Sequence, residues 1–204
     1  MRSSDVVACA AIQIAKAAIH ILNPDGRPDK IRGEAMQPML MPGGVPALAR
    51  FQVLDSRCPE EARAVVGRIF CPHFLTPVAR RPAGFHARHH SAPQLGYSVN
   101  RVAYGARVEI DPGELGRFFL VQIPLSGAAR VDVGRASVAV AAGRVGSVLS
   151  PTLRTRMVWG DGCEKLIVLV NRGEVEAYHA RLGGRDGPVE LAPHLDLMGA
   201  PGSR

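Results

Sequence analysis

The sequence lacks the short patterns that most often indicate enzyme chemistry. Its 204 residues contain no Gly-x-Gly-x-x-Gly or Gly-Lys-Ser/Thr phosphate loop, no Gly-x-Ser-x-Gly elbow and no Cys-x-x-Cys pair. Ser126 lies in Pro-Leu-Ser-Gly, which a turn between strands explains, and Cys163 has no histidine near it in sequence that could activate a thiolate. We therefore predict no catalytic residue and a protein that is not an enzyme.

Long hydrophobic runs are also scarce. The run Val6–Leu22 is interrupted by Gln13, Lys16 and His20, and it falls short of the ~20 apolar residues that a membrane-spanning helix needs. It has no positive cluster or clear cleavage site of a signal peptide, so an amphipathic helix is the favoured interpretation. Because the four cysteines are widely separated, we expect free thiols. Without a signal peptide or a spanning helix, we expect the protein in the cytoplasm and not associated with a membrane.

Acidic residues are fewer than basic ones, 18 against 25, which gives a net charge of +7. The basic residues are nearly all arginine and are scattered singly, with Arg80-Arg81 as the one consecutive pair. A basic stripe of the kind that binds nucleic acid is therefore not indicated. With 47% hydrophobic residues and a mean hydropathy near zero, the composition is that of an ordinary globular domain.

The first 50 residues differ in composition from the rest of the chain. Residues 23–50 are crowded with proline and glycine and show no apolar period, which is typical of a linker. Met36, Met39 and Met41 lie within this stretch, and one of them is our hypothesis for the natural start. We predict a poorly ordered extension over residues 1–50, a domain over 51–199 and a tail over 200–204.

Residues 85–171 predict a mainly β domain. Short apolar or alternating segments are separated by Gly, Pro, Asp or Ser, and Gly134-Arg135 is a candidate two-residue hairpin. A helix is predicted on each side, over Pro59–Phe70 and from Arg172 to Leu182 after the N-cap Asn171. Nine strands at this spacing indicate a closed or double-sheet antiparallel structure. The strands are predicted over Phe85–His90, Leu95–Tyr104, Arg107–Ile110, Phe118–Leu125, Ala128–Val133, Ser137–Ala141, Val145–Leu149, Thr155–Trp159 and Lys165–Asn171.

The histidines give little support to a metal site. His86, His89 and His90 lie together, but a β-barrel site of the cupin kind needs a His-x-His pair, a glutamate a few residues later and a distant fourth ligand. No His-x-His occurs, the next glutamate is Glu109, and the strands from Val131 to Val170 contain no histidine. We therefore predict no metal ligand and no cofactor, with a cupin-type metalloenzyme kept as the alternative.

A barrel of this size either fills with side chains or encloses one small molecule. Tyr97 and Arg101 lie four residues apart and share a face of a regular strand. An inward arginine there would suit a ligand that bears a carboxylate. The polar and aromatic residues within the apolar strands are the candidate ligand-binding residues: Tyr97, Arg101, Tyr104, Gln122 and Trp159.

Several segments together resemble the cupin-like ligand-binding domain of AraC-family transcription regulators, over about residues 51–199. The combination of Leu-Ser-Gly with a later Leu-Ser-Pro is the most specific part. The segments that carry the resemblance are Leu95-Gly96-Tyr97, Val102–Gly105, Phe119–Gly127, Gly143–Pro151, Trp159 and Leu166–Asn171, with the helix near Cys58–His73 and Leu195-Asp196-Leu197.

The resemblance implies a double-stranded β-helix (jelly roll) that senses a small molecule, helices that dimerise and a C-terminal helix-turn-helix pair. The sequence shows no recognition helix after Gly199, so direct nucleic-acid binding is not expected. The predicted function is the effector-sensing and oligomerisation module of an AraC-type regulator. We expect either a truncated regulator or a stand-alone sensor, which forms homodimers or heterodimers with a full-length relative and titrates it.

Overall fold

The structure, a computed structural model, describes residues 48–72, 74–78, 84–184 and 187–198. The run Val6–Leu22, the candidate start methionines and the tail 200–204 lie outside these residues. The described chain begins at Leu48, whose side chain is buried, and a short 3-10 helix follows over Ala49–Phe51.

The described part of the chain is mainly β. The two α-helices are α1 (Pro59–Ile69) and α2 (Arg172–Arg181). The twelve strands are β1 (Gln52–Ser56), β2 (Phe74–Pro77), β3 (Ala87–Pro93), β4 (Tyr97–Ala103), β5 (Val108–Gly113), β6 (Phe118–Ser126), β7 (Ala128–Val133), β8 (Ala136–Ala141), β9 (Val145–Leu149), β10 (Thr155–Trp159), β11 (Glu164–Asn171) and β12 (His194–Asp196).

The nine predicted strands correspond to β3–β11, with ends that differ by a few residues. The prediction for β4 began two residues early, because Gly96 has a positive φ of 82° and Leu95 is fully exposed in the turn before the strand. Strands β1, β2 and β12 were not predicted. They have three to five residues each, too few for a period of two to stand out.

All strand pairs are antiparallel and form one strongly curled sheet. Its order is β1-β3-β4-β11-β6-β9-β8-β7-β10-β5-β2, with β12 added to β9. Strands β8 and β9 share one pair, Ala141 with Val145, so the sheet folds there into two facing halves. This confirms the predicted mainly β fold of jelly-roll type.

Two turns follow directly from the sequence. Gly134-Arg135 connects β7 to β8 as predicted, with Val133 paired to Ala136 and a φ of 56° at Gly134. At the Leu-Ser-Gly segment, the Ser126 hydroxyl donates to the Gly162 carbonyl at 2.8 Å, and Gly127 takes a φ of 65°. Ser126 therefore stabilises the turn between β6 and β7, as its position in the sequence indicates.

Both helices lie where the sequence predicts them. Helix α1 starts with Pro59 at its first turn, packs Ala62 and Val66 into the core and ends at Ile69. Helix α2 begins directly after Asn171, although that side chain makes no capping hydrogen bond. None of the residues of α2 is buried, so this helix contributes little to the core.

The two faces of strands β4, β6, β9 and β11 pack into separate apolar clusters. The inner cluster lies between the sheet halves and is covered by α1, with Val66, Val102, Leu120, Trp159 and Ile167 among its members. The outer cluster lies on the opposite face and is covered by chain segments around Leu48 and Val189–Leu195. Its buried members are Leu48, Ala92, Val99, Phe119, Val121, Val148, Leu166, Val168, Val170, Val189, Leu191 and Leu195.

Candidate functional site

A cavity of about 40 Å³ lies within the inner cluster. Three of the predicted site residues, Tyr104, Gln122 and Trp159, line it together. Phe70 and Cys71, at the end of α1, form another part of its wall. The rest of the lining is apolar: Val66, Val102, Ile110, Pro112, Leu115, Leu120, Met157 and Ile167.

Tyr97 and Arg101 lie on the other face of β4. They share a face, as their spacing predicts, because β4 pairs with β11 in a regular register from Tyr97 to Ala103. That face is the outer one: Tyr97 packs against the outer cluster, and Arg101 Nε donates to Glu164 Oε1 at 2.5 Å. Neither side chain reaches the cavity, and the guanidinium of Arg101 already has a carboxylate partner.

The cation beside the cavity is Lys165, which the sequence analysis did not select. Its side chain is fully buried, and its Nζ donates to Gln122 Oε1 at 2.8 Å. The same Nζ lies 4.4 Å from the centroid of the Trp159 ring, a cation–π distance. Burial lowers the pKa of Lys165 to about 7, against a smaller opposing effect of Cys163.

A signal for Lys165 is present in the sequence. The residue opens the run Lys-Leu-Ile-Val-Leu-Val, so a period of two places it on the same face as Ile167 and Leu169. Both of those residues pack in the inner cluster. Lysine is also rare in this chain, and Lys165 is the single lysine of the predicted domain over residues 51–199.

Lys165 determines how the amide of Gln122 is oriented. An ammonium group can only donate, so the amide oxygen of Gln122 must face it. The Ser147 hydroxyl also donates to this oxygen, at 3.5 Å. The amide nitrogen Nε2 then points to the sulfur of Met157 at 3.4 Å, which is a weak acceptor.

The aromatic residues of the cavity wall add a second donor. Trp159 is buried, and its Nε1 has no hydrogen-bond partner in the structure. Tyr104 packs edge-on against Trp159 with ring centroids 5.3 Å apart. Burial raises the pKa of Tyr104, which keeps its phenol neutral. Trp159 Nε1 and Gln122 Nε2 are therefore both donors that lack a good acceptor.

The three neighbouring histidines have separate environments. His86 Nε2 is hydrogen-bonded to Asp55 Oδ1 at 2.5 Å, and His90 lies on the face of β3 opposite His89. His89 is fully buried, stacks on Phe70 and bonds through Nε2 to Asn100 Oδ1 at 3.1 Å. Its Nδ1 is unpartnered, and burial lowers its pKa to about 4.

Two further features concern the described residues alone. They contain no group of three or more His, Cys, Asp or Glu side chains placed to hold a metal ion. Within the same residues, no helix has the length and hydrophobicity needed to span a bilayer.

Comparison with known proteins identifies the domain type. The family model of the AraC-binding-like domain matches residues 62–204. The crystal structure of the AraC-like transcriptional activator CuxR has a TM-score of 0.52 and 13% identity, and the match covers 66% of this chain and 51% of that one. The chain therefore spans about half the length of CuxR.

Two further solved structures show weaker likeness. A Cupin 2 conserved barrel domain protein from Salinispora arenicola CNS-205 has a TM-score of 0.36 and 16% identity, with 52% of this chain and 95% of that one covered. KdgF from Halomonas sp. has a TM-score of 0.37 and 13% identity, with 48% and 84% covered. No curated protein matches the chain.

Proposed function

The chain belongs to the AraC-binding-like domain family, and from that premise we propose that it is the effector-binding module of an AraC-type transcription regulator. The observation that carries the proposal is the cavity between Tyr104, Gln122 and Trp159. Three of the five residues that the sequence suggested as ligand contacts line this cavity, whereas Tyr97 and Arg101 do not.

The cavity differs from a structural core in two ways. Well-packed cores leave few voids larger than a water molecule, and their buried polar groups are hydrogen-bonded. Here a void of about 40 Å³ coincides with the unpartnered Trp159 Nε1 and with Gln122 Nε2, whose acceptor is a thioether. A bound molecule would fill the void and supply the missing acceptor, which makes the site suited to a small effector.

The experiment uses the single tryptophan of the chain as a local reporter. Because Trp159 lines the cavity, a molecule that binds there should change its fluorescence in a saturable manner with one site per chain. Compounds would first be selected from a chemically broad metabolite set by thermal shift. At a concentration 100 times the Kd, a ligand stabilises the folded state by about 2.7 kcal/mol.

A matched pair of variants assigns the effect to the cavity. Val102→Leu adds volume at the cavity wall, whereas Val99→Leu makes the same change on the outer face of the same strand. We expect the first to weaken binding and the second to leave affinity unchanged. The proposal fails if no compound changes the fluorescence of Trp159, or if both variants reduce affinity equally.

We also propose that α2 takes part in self-association or in a complex with a full-length relative. Val175 of α2 packs against the outer cluster, while Tyr178 and Leu182 on the same side remain exposed. Analytical ultracentrifugation should show a dimer, or a mixed complex with such a relative, that Leu182→Lys weakens. A chain that stays monomeric and does not bind such a relative would rule this out.

The cupin-type metalloenzyme is not favoured by the family match. His86, His89 and His90 each have a different environment, and none joins a cluster of ligand-type residues within the described chain. Metal analysis of the purified protein tests this alternative directly: stoichiometric iron, manganese or zinc would support it.

A further inference from the structure

We propose that the molecule recognised in the cavity carries a carboxylate, which accepts hydrogen bonds from Gln122 Nε2 and Trp159 Nε1 while buried Lys165 provides the compensating charge. This inference rests on the proposed function of the cavity as the effector site. The sequence suggested Arg101 as the cation for a carboxylate, but Arg101 lies on the outer face of the sheet. Lys165, on the inner face, takes that place in the present proposal.

The hydrogen-bonding groups beside the cavity are unbalanced in favour of donors. Lys165 has three N–H groups, and its recorded partners are one amide oxygen and the face of the Trp159 ring. Gln122 Oε1 is already shared between Lys165 and the Ser147 hydroxyl. Gln122 Nε2 and Trp159 Nε1 then remain without a nitrogen or oxygen acceptor. A molecule that completes this site must therefore bring acceptors.

The charged groups beside the cavity are also unbalanced, because the buried cation has no anionic partner among the described residues. Across the described part of the chain, no carboxylate forms an ion pair with Lys165. Its neighbour Glu164 pairs with Arg101 on the opposite face of the sheet. Burial raises the pKa of the Cys163 thiol, which stays neutral and gives no counter-charge near neutral pH. An ammonium group in an apolar interior is costly without an anion, which is why burial lowers the pKa of Lys165, and a bound anion would stabilise its charged form.

A carboxylate fits these conditions better than a larger anion. Its two oxygens could accept from Trp159 Nε1, which has no partner in the described chain, and from Gln122 Nε2, whose acceptor is a thioether, and a cavity of about 40 Å³ accommodates a group of this size. The remaining wall is apolar, which favours an apolar body attached to the carboxylate. A longer body would exceed this volume, so binding it would require lining side chains to move.

The first test compares acids with their neutral counterparts on the unmodified full chain. Sodium acetate, butanoate and benzoate would be titrated beside acetamide, butanamide and benzamide, at constant ionic strength set with NaCl and with Trp159 fluorescence as the readout. Hydrogen bonds to a charged group are stronger than those to a neutral one. We expect at least one carboxylate to bind at least about tenfold more tightly than its amide.

The second test removes the charge at matched positions. Lys165→Met keeps an unbranched side chain, shorter by one atom, and removes the ammonium, while Arg101→Met removes a cation from the outer face of the neighbouring strand. We expect Lys165→Met to abolish the preference for carboxylate over amide and Arg101→Met to preserve it. Circular dichroism and melting curves establish that each variant is folded. The first test does not depend on either variant.

Equal binding of acid and amide would overturn the inference, as would a carboxylate preference that survives in Lys165→Met. Absence of binding by every acid at millimolar concentration would also overturn it. The broader screen keeps these outcomes distinct from failure of the proposed function. A neutral compound that binds next to Trp159 would support an effector site and contradict the carboxylate. If no compound of any class binds, both proposals fail.

Discussion

The inner and outer clusters share four strands, yet they are built differently. The outer cluster consists of aliphatic side chains and Phe119, covered by segments of the same chain. The inner cluster surrounds a cavity and lies against two buried polar residues, Lys165 and Gln122. One face of these strands is therefore packed with apolar side chains, whereas the other borders a void, an unpartnered Trp159 Nε1 and a buried lysine, which are features that a bound molecule would compensate.

The largest expected effect is the pH dependence that Lys165 imposes on stability. Its pKa is about 7 in the folded state and about 10.5 when unfolded, so the unfolded chain binds more protons between these values. The stability from this group therefore rises with pH through that window, by up to about 5 kcal/mol at 1.36 kcal/mol per pKa unit. Urea unfolding of the wild type and Lys165→Met at pH 7 to 10 measures it.

Lys165→Met should lack this rise and should be more stable than the wild type at pH 7. Titrating groups that do not interact with Lys165 contribute equally to the two proteins at each pH, whereas the effect of Cys163, which interacts with Lys165, remains in the difference. Parallel pH profiles for the wild type and the variant would show that Lys165 is not the buried cation that the structure indicates.

The second prediction concerns the outer cluster. Phe119→Ala removes a buried ring and should destabilise the protein by about 3–5 kcal/mol, measured by urea unfolding. Because Phe119 faces away from the cavity, ligand affinity should be unchanged under conditions where the variant is folded. A change in affinity larger than the change caused by Val99→Leu would show that the two clusters are coupled.

The third prediction concerns His89 on the inner side. Its pKa is about 4 in the folded state against about 6.5 unfolded, so stability falls as the pH decreases from 6.5 to 4. The loss should reach about 3 kcal/mol at 1.36 kcal/mol per pKa unit. His89→Gln retains a donor for Asn100 without a titrating ring, and it should remove most of this acid dependence in chemical unfolding curves.

The smallest effect is expected at the ion pair on the outer face. Arg101 and Glu164 are partly exposed, and such pairs contribute about 0–1 kcal/mol. Arg101→Gln should therefore change the unfolding free energy by less than about 1 kcal/mol, and less still in high salt. A larger loss would mean that the outer face depends on charge as the inner face does.

The sequence predicted more of the fold than of the site, because long strands and turns leave local sequence patterns. Strands β6 and β11 are long apolar runs, and positive-φ glycines such as Gly127 and Gly134 mark the turns between strands. Strand β12, over His194–Asp196, exists through its pairing with β9 and has no local pattern of its own. Local sequence therefore predicts long strands, while short strands depend on partners distant in the chain.

The site residues were harder to predict from the sequence because both faces of the central strands are buried. In β4, Val99 packs in the outer cluster and Val102 in the inner one, so alternation cannot tell which face meets the cavity. Spacing correctly placed Tyr97 and Arg101 on one face without identifying it as the outer face. Lys165 was missed because a lysine at a strand end is usually exposed.

One row of residues across the sheet links the cavity to the edge of the molecule. Gln122 on β6 is paired with Ser147 on β9, and Ser147 is paired in turn with His194 on β12. A Cβ at Gly146 would lie 2.6 Å from the Gln122 carbonyl oxygen, so any side chain at position 146 would push β6 and β9 apart. The row therefore places β12, on the outside of the sheet, only one strand away from Gln122, whose side chain lines the cavity.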